Sequence, residues 1–261
     1  MVMRTTPAMP GRPRRSAAAP GILMALLIIA TPAPASLHHP ATPAMPAADD
    51  KQVLHENHER GEEIGRGLRR EFIRLYERGQ FPQALAVAKR AHALVTRLHG
   101  AEHIDNADPL LKLGIIHQTL GHLDRAREHF EHSLRILQDN HSRDRPHMAI
   151  TLTNLGSLYF ELGDYRASER AHQRALALRR AAFGPLSAEA AQSLYNLGVL
   201  YEHQQDYARA ARQYQRAIEL WSATLGSNHP FIDNTRRNLA RVHLARQRTL
   251  QHHALSATLA R

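Results

Sequence analysis

Asn154, Asn196 and Asn238 stand 42 residues apart, and Lys112 stands one further step back. An asparagine amide presents a donor and an acceptor together, which suits the backbone of an extended peptide. Catalysis needs a different set. Ser157 and Ser193 carry hydroxyls, but both fall within helical patterns and no base accompanies them as a nucleophile would require. The chain has no HExxH, no GxSxG, no Walker phosphate loop and no Gly-rich dinucleotide loop. Among the 19 histidines, His55/His58 and His129/His132 are each three apart, a spacing that can place two metal ligands on one helix face. Neither pair has an identifiable third ligand, so these histidines read as surface residues. The sequence therefore predicts a binding protein, not an enzyme, with no metal or other cofactor.

The elements that must position the amides are repeated units. Ile150–Gly184 and Gln192–Gly226 align without a gap and share 15 identities in 35 positions. Steps of 42 from Gly156 reach Gly198 and Ala240 in one direction and Gly114 and Phe72 in the other, so the pattern occurs four times plus a final first half. A period near 42 suits helical solenoids and propeller blades alike. The pattern inside one unit decides between them. Leu152, Leu155, Leu158 and Tyr159, then Tyr165, Ala175 and Leu178, recur at helical spacing in two runs. Gly163 and Asp164 between the runs end one helix and cap the next. Pro109, Pro146, Pro185 and Pro230 fall where units join, where no helix could run through them. Gly156 and Ala175 allow helices to approach closely, and Tyr159 and Tyr165 fill the space beside them.

This unit resembles the tetratricopeptide repeat, in the Leu-Gly followed by an aromatic and in the aromatic and small residues of the second helix. It is most similar to the 42-residue version of kinesin light chains, whose Leu-Gly-x-x-His-Pro ending matches "LGSNHP" from Leu225 to Pro230. The likeness covers about Glu62 to Ala260. It departs from the pattern at Phe72, where Gly is expected, at His117 for the aromatic, and at Ser168 for the small alanine. The resemblance implies an all-α fold: a right-handed superhelix of about four helix pairs closed by a C-terminal capping helix. It also implies a concave groove lined by the first helices, binding a protein segment or peptide. On that basis the groove residues are Lys112, Asn154, Ser157, Gln192, Tyr195, Asn196, Val199, Asn238 and Arg241. Tyr195 and Val199 would offer apolar contact, and Lys112, Arg237 and Arg241 would make the groove ends positive, around Glu161 and Glu202.

The chain ahead of the repeats has a different composition. The first 48 residues contain no Asp or Glu and nine of the 14 prolines. A basic stretch, the apolar "GILMALLIIA" of residues 21–30 and the small-x-small Ala33-Pro34-Ala35 follow in the order of a secretory signal. Ten helical residues cover ~15 Å, too short for a bilayer core of ~30 Å. The expected organisation is a signal at 1–35, an Ala/Pro-rich linker at 36–60 and the repeat domain at 61–261. The protein is then exported, to the periplasm or beyond the cell. A membrane role, as an anchored envelope assembly factor, follows only if the apolar segment is not cleaved. The net charge of +10 raises a third reading, a basic binder of nucleic acid or anionic surfaces. No aromatic-basic stacking motif, zinc finger or helix-turn-helix pattern accompanies it, so nucleic acid is not expected as a partner. With no cysteine, disulfides and thiolate metal sites are excluded.

Overall fold

The computed structural model describes residues 48–140 and 144–259, and these form nine α-helices. Their bounds are α1 Ala48–Glu77, α2 Phe81–His99, α3 Ala107–Thr119, α4 Leu123–Asp139 and α5 Arg145–Glu161, followed by α6 Tyr165–Phe183, α7 Ala188–His203, α8 Tyr207–Leu225 and α9 Pro230–Leu259. A 3-10 turn at Ile104–Asn106 leads into α3. The expected signal and residues 36–47 of the expected linker lie outside the described residues. α1 begins at Ala48, within the range expected for the linker, and no proline follows Pro46 in the sequence until Pro82.

The helix ends follow the punctuation of the sequence. Asp164 and Asp206 accept the backbone N–H of Ala167 and Arg209, each at 2.9 Å, capping α6 and α8. Asp144 caps α5 through His147 N at 3.0 Å, and Ser187 caps α7 through Ala190 N at 3.2 Å. At the tight turn inside each unit the chain needs a positive φ. Gly163 supplies it in the third unit, and in the fourth the same place is held by Gln205 at φ 60°.

Consecutive helices pack on one another along the whole chain, so the pairs α1/α2, α3/α4, α5/α6 and α7/α8 stack as a solenoid closed by α9. Within each pair, the position predicted to permit close approach does so by receiving a ring. A Cβ added at Gly114 would lie 2.3 Å from Phe130, at Gly156 2.6 Å from His172, and at Gly198 2.6 Å from Tyr214. These rings are themselves 42 residues apart. The first unit reverses the sizes: Phe72 on α1 and Ala88 on α2 hold the two equivalent positions in one core cluster. The departure at Phe72 is therefore matched by a small residue opposite.

The first helices α3, α5 and α7 are enclosed on nearly every side, from Pro109 to His117, from Thr151 to Leu158 and from Ala190 to Gly198. Each lies between its own second helix and that of the preceding unit. Among its described side chains, closing helix α9 fully buries Ile232, Thr235, Asn238 and Val242, spaced three to four residues apart, with Phe231 and Leu239 partly buried beside them and many of the others exposed. No helix among the described residues is long and apolar enough to cross a membrane.

Candidate functional site

Enclosure of the first helices decides how the predicted residues are held. Asn154 is 1% exposed, and its amide donates to the carbonyl of Ile150 on its own helix at 2.9 Å. Ser157 likewise donates to Thr153 O at 3.1 Å. Lys112 is buried and bonded to the Asp108 carboxylate, which also meets Arg69 Nη2 of α1 at 3.2 Å. Burial pushes the Asp108 carboxyl up, but Lys112 and Arg69 outweigh it and hold it below its ordinary value. Burial lowers the Lys112 ammonium, with Asp108 opposing.

The other predicted residues come together on α7 and α9. Gln192 Nε2 donates to Asn196 Oδ1 at 3.3 Å, and Asn238 Nδ2 donates to the Tyr195 hydroxyl at 3.2 Å. Tyr195 and Gln192 are closed to solvent; Asn196 and Asn238 keep a narrow exposed edge. Val199 is half-buried at the margin of the same core cluster. Arg241 grips Glu202 with two nitrogens, Nε at 2.6 Å and Nη2 at 3.0 Å. Glu202 also accepts from Tyr214 Oη at 2.7 Å, and burial followed by that carboxylate raises the Tyr214 phenol above its ordinary value. The asparagine column thus exists in register, but its first member, Asn154, turns back onto its own helix. Of the residues expected to make the ends positive, Lys112 shares the Asp108 carboxylate with Arg69, Arg241 pairs with Glu202, and Arg237 is exposed.

Asn196 stands apart. Its Nδ2 is buried and has no hydrogen-bond partner. A buried N–H without a partner costs ~1–3 kcal/mol relative to a satisfied one.

The sequence reading missed the pairs that tie one first helix to the next. Tyr76 meets Thr119 at 3.1 Å and Gln118 donates to Glu161 at 2.8 Å, each across 43 positions. The rings of Phe160 and His203, also 43 apart, meet edge-on at 4.8 Å. Arg69–Asp108 and Glu202–Arg241 reach across 39. These spacings are one repeat plus one residue and one repeat less three. Complementary side chains at 39 and 43 are a signal the sequence does contain. Burial of Glu161 raises its carboxyl despite the Gln118 bond.

A family model described as tetratricopeptide repeat matches residues 75–139, 147–221 and 189–251. Among solved structures, BtubC (BKLC) from P. vanneervenii is similar with a TM-score of 0.67 at 22% identity, over 79% of this chain and 82% of that one. Nearly identical TPR-like repeats from Podosopora anserina match with a TM-score of 0.60 at 18% identity, over 74% of this chain and 91% of theirs. The apo form of RapI matches with a TM-score of 0.60 at 14% identity, over 71% of this chain and 65% of that chain. At these identities the likeness is one of fold. No curated protein matches the sequence.

Proposed function

The chain belongs to the tetratricopeptide repeat family, and from that premise we propose that it is an exported, non-catalytic adaptor holding an extended protein segment against α7 and α9. Proteins of this family are generally protein-interaction scaffolds and typically non-catalytic. The observation that carries the reading is the unpartnered Asn196 amide. A peptide carbonyl admitted to Nδ2 by a small shift of the side chains that cover it would remove the cost of leaving that donor unsatisfied. Val199 beside it offers apolar contact. Because Lys112 and Arg241 already pair with Asp108 and Glu202, the site suits a segment recognised by backbone and apolar side chains more than an acidic one.

Export rests on the basic, apolar and small-residue order of the first 35 residues. Cleavage after Ala35 would remove Arg4, Arg12, Arg14 and Arg15 and no acid, taking the net charge from +10 to +6. The test has two parts. Mass spectrometry of the protein from its native host should find an N-terminus near Ser36; an intact start on membrane-extracted protein would support the anchored reading instead. Affinity purification of that mature form, with Asn196→Ala and Val199→Lys beside wild type, should show one set of partners lost in both variants. Partners retained by both folded variants would place the binding surface elsewhere.

A further inference from the structure

The corner between α2 and α3 holds a side-chain cluster outside the proposed groove. His99, His103 and Asp105 each bring one ligand atom to a common space, all three atoms lying within 4.8 Å of one another. His99 Nε2 is 3.7 Å and His103 Nδ1 3.4 Å from the same oxygen, Asp105 Oδ2. Tetrahedral coordination at ~2.1 Å sets donor atoms ~3.4 Å apart, so the two distances to Asp105 are already close to what one ion requires; the two imidazoles stack with centroids 4.7 Å apart, and one ring turns to aim its lone pair at the ion. We propose that His99, His103 and Asp105 form a binding site for one divalent transition-metal ion, with a fourth position left open to water or a partner's ligand.

Three observations support the site. First, the loop that carries it is fixed independently. The buried Asn106 amide donates to the carbonyls of Gly100 at 2.8 Å and Ala101 at 3.0 Å, while its oxygen meets His92 Nδ1 at 2.9 Å. Asn140 of α4 holds the Glu102 carbonyl at 3.2 Å, and His132 meets the Glu102 carboxylate at 3.1 Å. Ligands on a loop held this way lose little freedom on binding an ion. Second, His103 Nδ1 accepts the Asp105 N–H at 3.3 Å, so its lone pair shares the space with the carboxylate. That bond is long, and an ion at Nδ1 replaces it while also neutralising Asp105. Third, the repeat calls for only one of these residues: His229 stands where His103 does and accepts the Phe231 N–H through Nδ1 as His103 accepts that of Asp105, whereas His99 and Asp105 have no counterpart of their type. Gly100, Gly184 and Gly226 end α2, α6 and α8 with the same positive φ. In that register the corner after α6 carries Phe183, Ser187 and Glu189, and the corner after α8 carries Leu225, His229 and Phe231. Three metal-ligating residues coincide at the first of these corners and not at those two.

Two imidazoles and one carboxylate suit zinc and its neighbours in the first transition row, not magnesium or calcium, which take oxygen ligands. Zn2+ and Co2+ are the probes. Titration calorimetry of the full chain with Zn2+ should find one site whose affinity falls at least about tenfold in His99→Leu and in Asp105→Asn. His99→Leu places at this corner the residue that follows Thr224 in α8, and Asp105→Asn keeps the shape. His243→Ala, on exposed α9, should titrate as wild type. Co2+ should give an intense visible band in wild type that both corner variants lose. Helical circular dichroism equal to wild type confirms that each variant is folded. The proposal is overturned if the folded corner variants titrate as wild type, or if His243→Ala loses as much affinity as they do.

Discussion

The imidazole of His172 fills the space that Gly156 leaves open, with its Cε1 2.6 Å from where a glycine Cβ would stand. The ring is 4% exposed and its Nδ1 has no partner. A titratable group thus occupies a place that Phe130 and Tyr214 hold in the neighbouring units.

Acid should therefore weaken the stack at its third unit. Burial, with Arg179 adding to it, lowers the His172 pKa to about 3, against an ordinary value of 6.5. Between those values the unfolded chain binds the proton and the folded chain does not. The contribution is fully present above pH 6.5 and is lost as pH falls toward 3, by at most roughly 1.4 kcal/mol per pH unit. Half-buried His129, lowered to about 4, adds a contribution of the same sign over a narrower pH window. His172→Phe should flatten the dependence, as measured by urea midpoints at pH 4.5 and 7.

Gly156→Leu should cost roughly 1–3 kcal/mol by overpacking against the ring. The reversed sizes of Phe72 and Ala88 in the first unit suggest the compensating partner. Gly156→Phe combined with His172→Ala should be less destabilising than the two single changes added together. Thermal melts of the four proteins of this cycle give the coupling, and simple additivity would mean the two positions do not share one space.

Gln205 adopts a positive φ where Gly163 stands in the unit before. A left-handed non-glycine residue is strained by roughly 1–2 kcal/mol, partly offset by the greater freedom of glycine in the unfolded chain. Gln205→Gly should accordingly raise stability by about 0.5–1 kcal/mol. A lower melting temperature would show that the Gln205 side chain contributes more than its backbone strain costs.

Arg179 is 3% exposed and donates to Ser193 Oγ at 2.7 Å, joining α6 to α7. Burial lowers this guanidinium to about 10, opposed by Glu189. Ser193→Ala removes one acceptor from a buried cation and should cost about 1.5–3 kcal/mol. The double change Ser193→Ala with Arg179→Leu should cost less than Ser193→Ala alone, because no unpaired charge is left behind. Denaturant unfolding of both variants makes the comparison.

Asn154 and Asn196 should separate in a binding assay although they share a register. Asn154→Ala breaks a bond to its own helix and should leave partner capture unchanged. Asn196→Ala removes the unpartnered donor and should weaken capture; because it also takes the acceptor from the buried Gln192 amide, it should cost roughly 1–3 kcal/mol in stability, which a melt reads separately. Equal loss of binding in the two folded variants would assign the whole column to the ligand.

The fold was legible because its signals are local and repeated. Asp164 caps as its place after Gly163 implies, and Gly156 admits a neighbour as its place in the unit implies. What occupies the space beside Gly156 was less legible, because histidine usually reads as a surface residue. The positions Phe130, His172 and Tyr214 carry the missing clue, since two of the three are aromatic at the repeat spacing. The asparagines lie at one register position on α5, α7 and α9, but register alone does not say how many helices enclose a position. Asn154 lies on a helix buried through its middle, and a polar side chain there turns to the nearest backbone carbonyl. The cluster at His99, His103 and Asp105 escaped because a loop, not a helix face, brings its members together.

Stacking of consecutive helices also sets how the chain can acquire its shape. The bonds that tie first helices together reach across only 39 or 43 positions. No distant segments have to find one another, so the search is short and assembly is fast for a chain of this length. A nucleus formed in any one unit can grow in both directions, each added unit docking on the last. During synthesis the first units can settle while later ones are still being made. Under tension applied at the ends, the same arrangement yields stepwise, unit by unit from its ends.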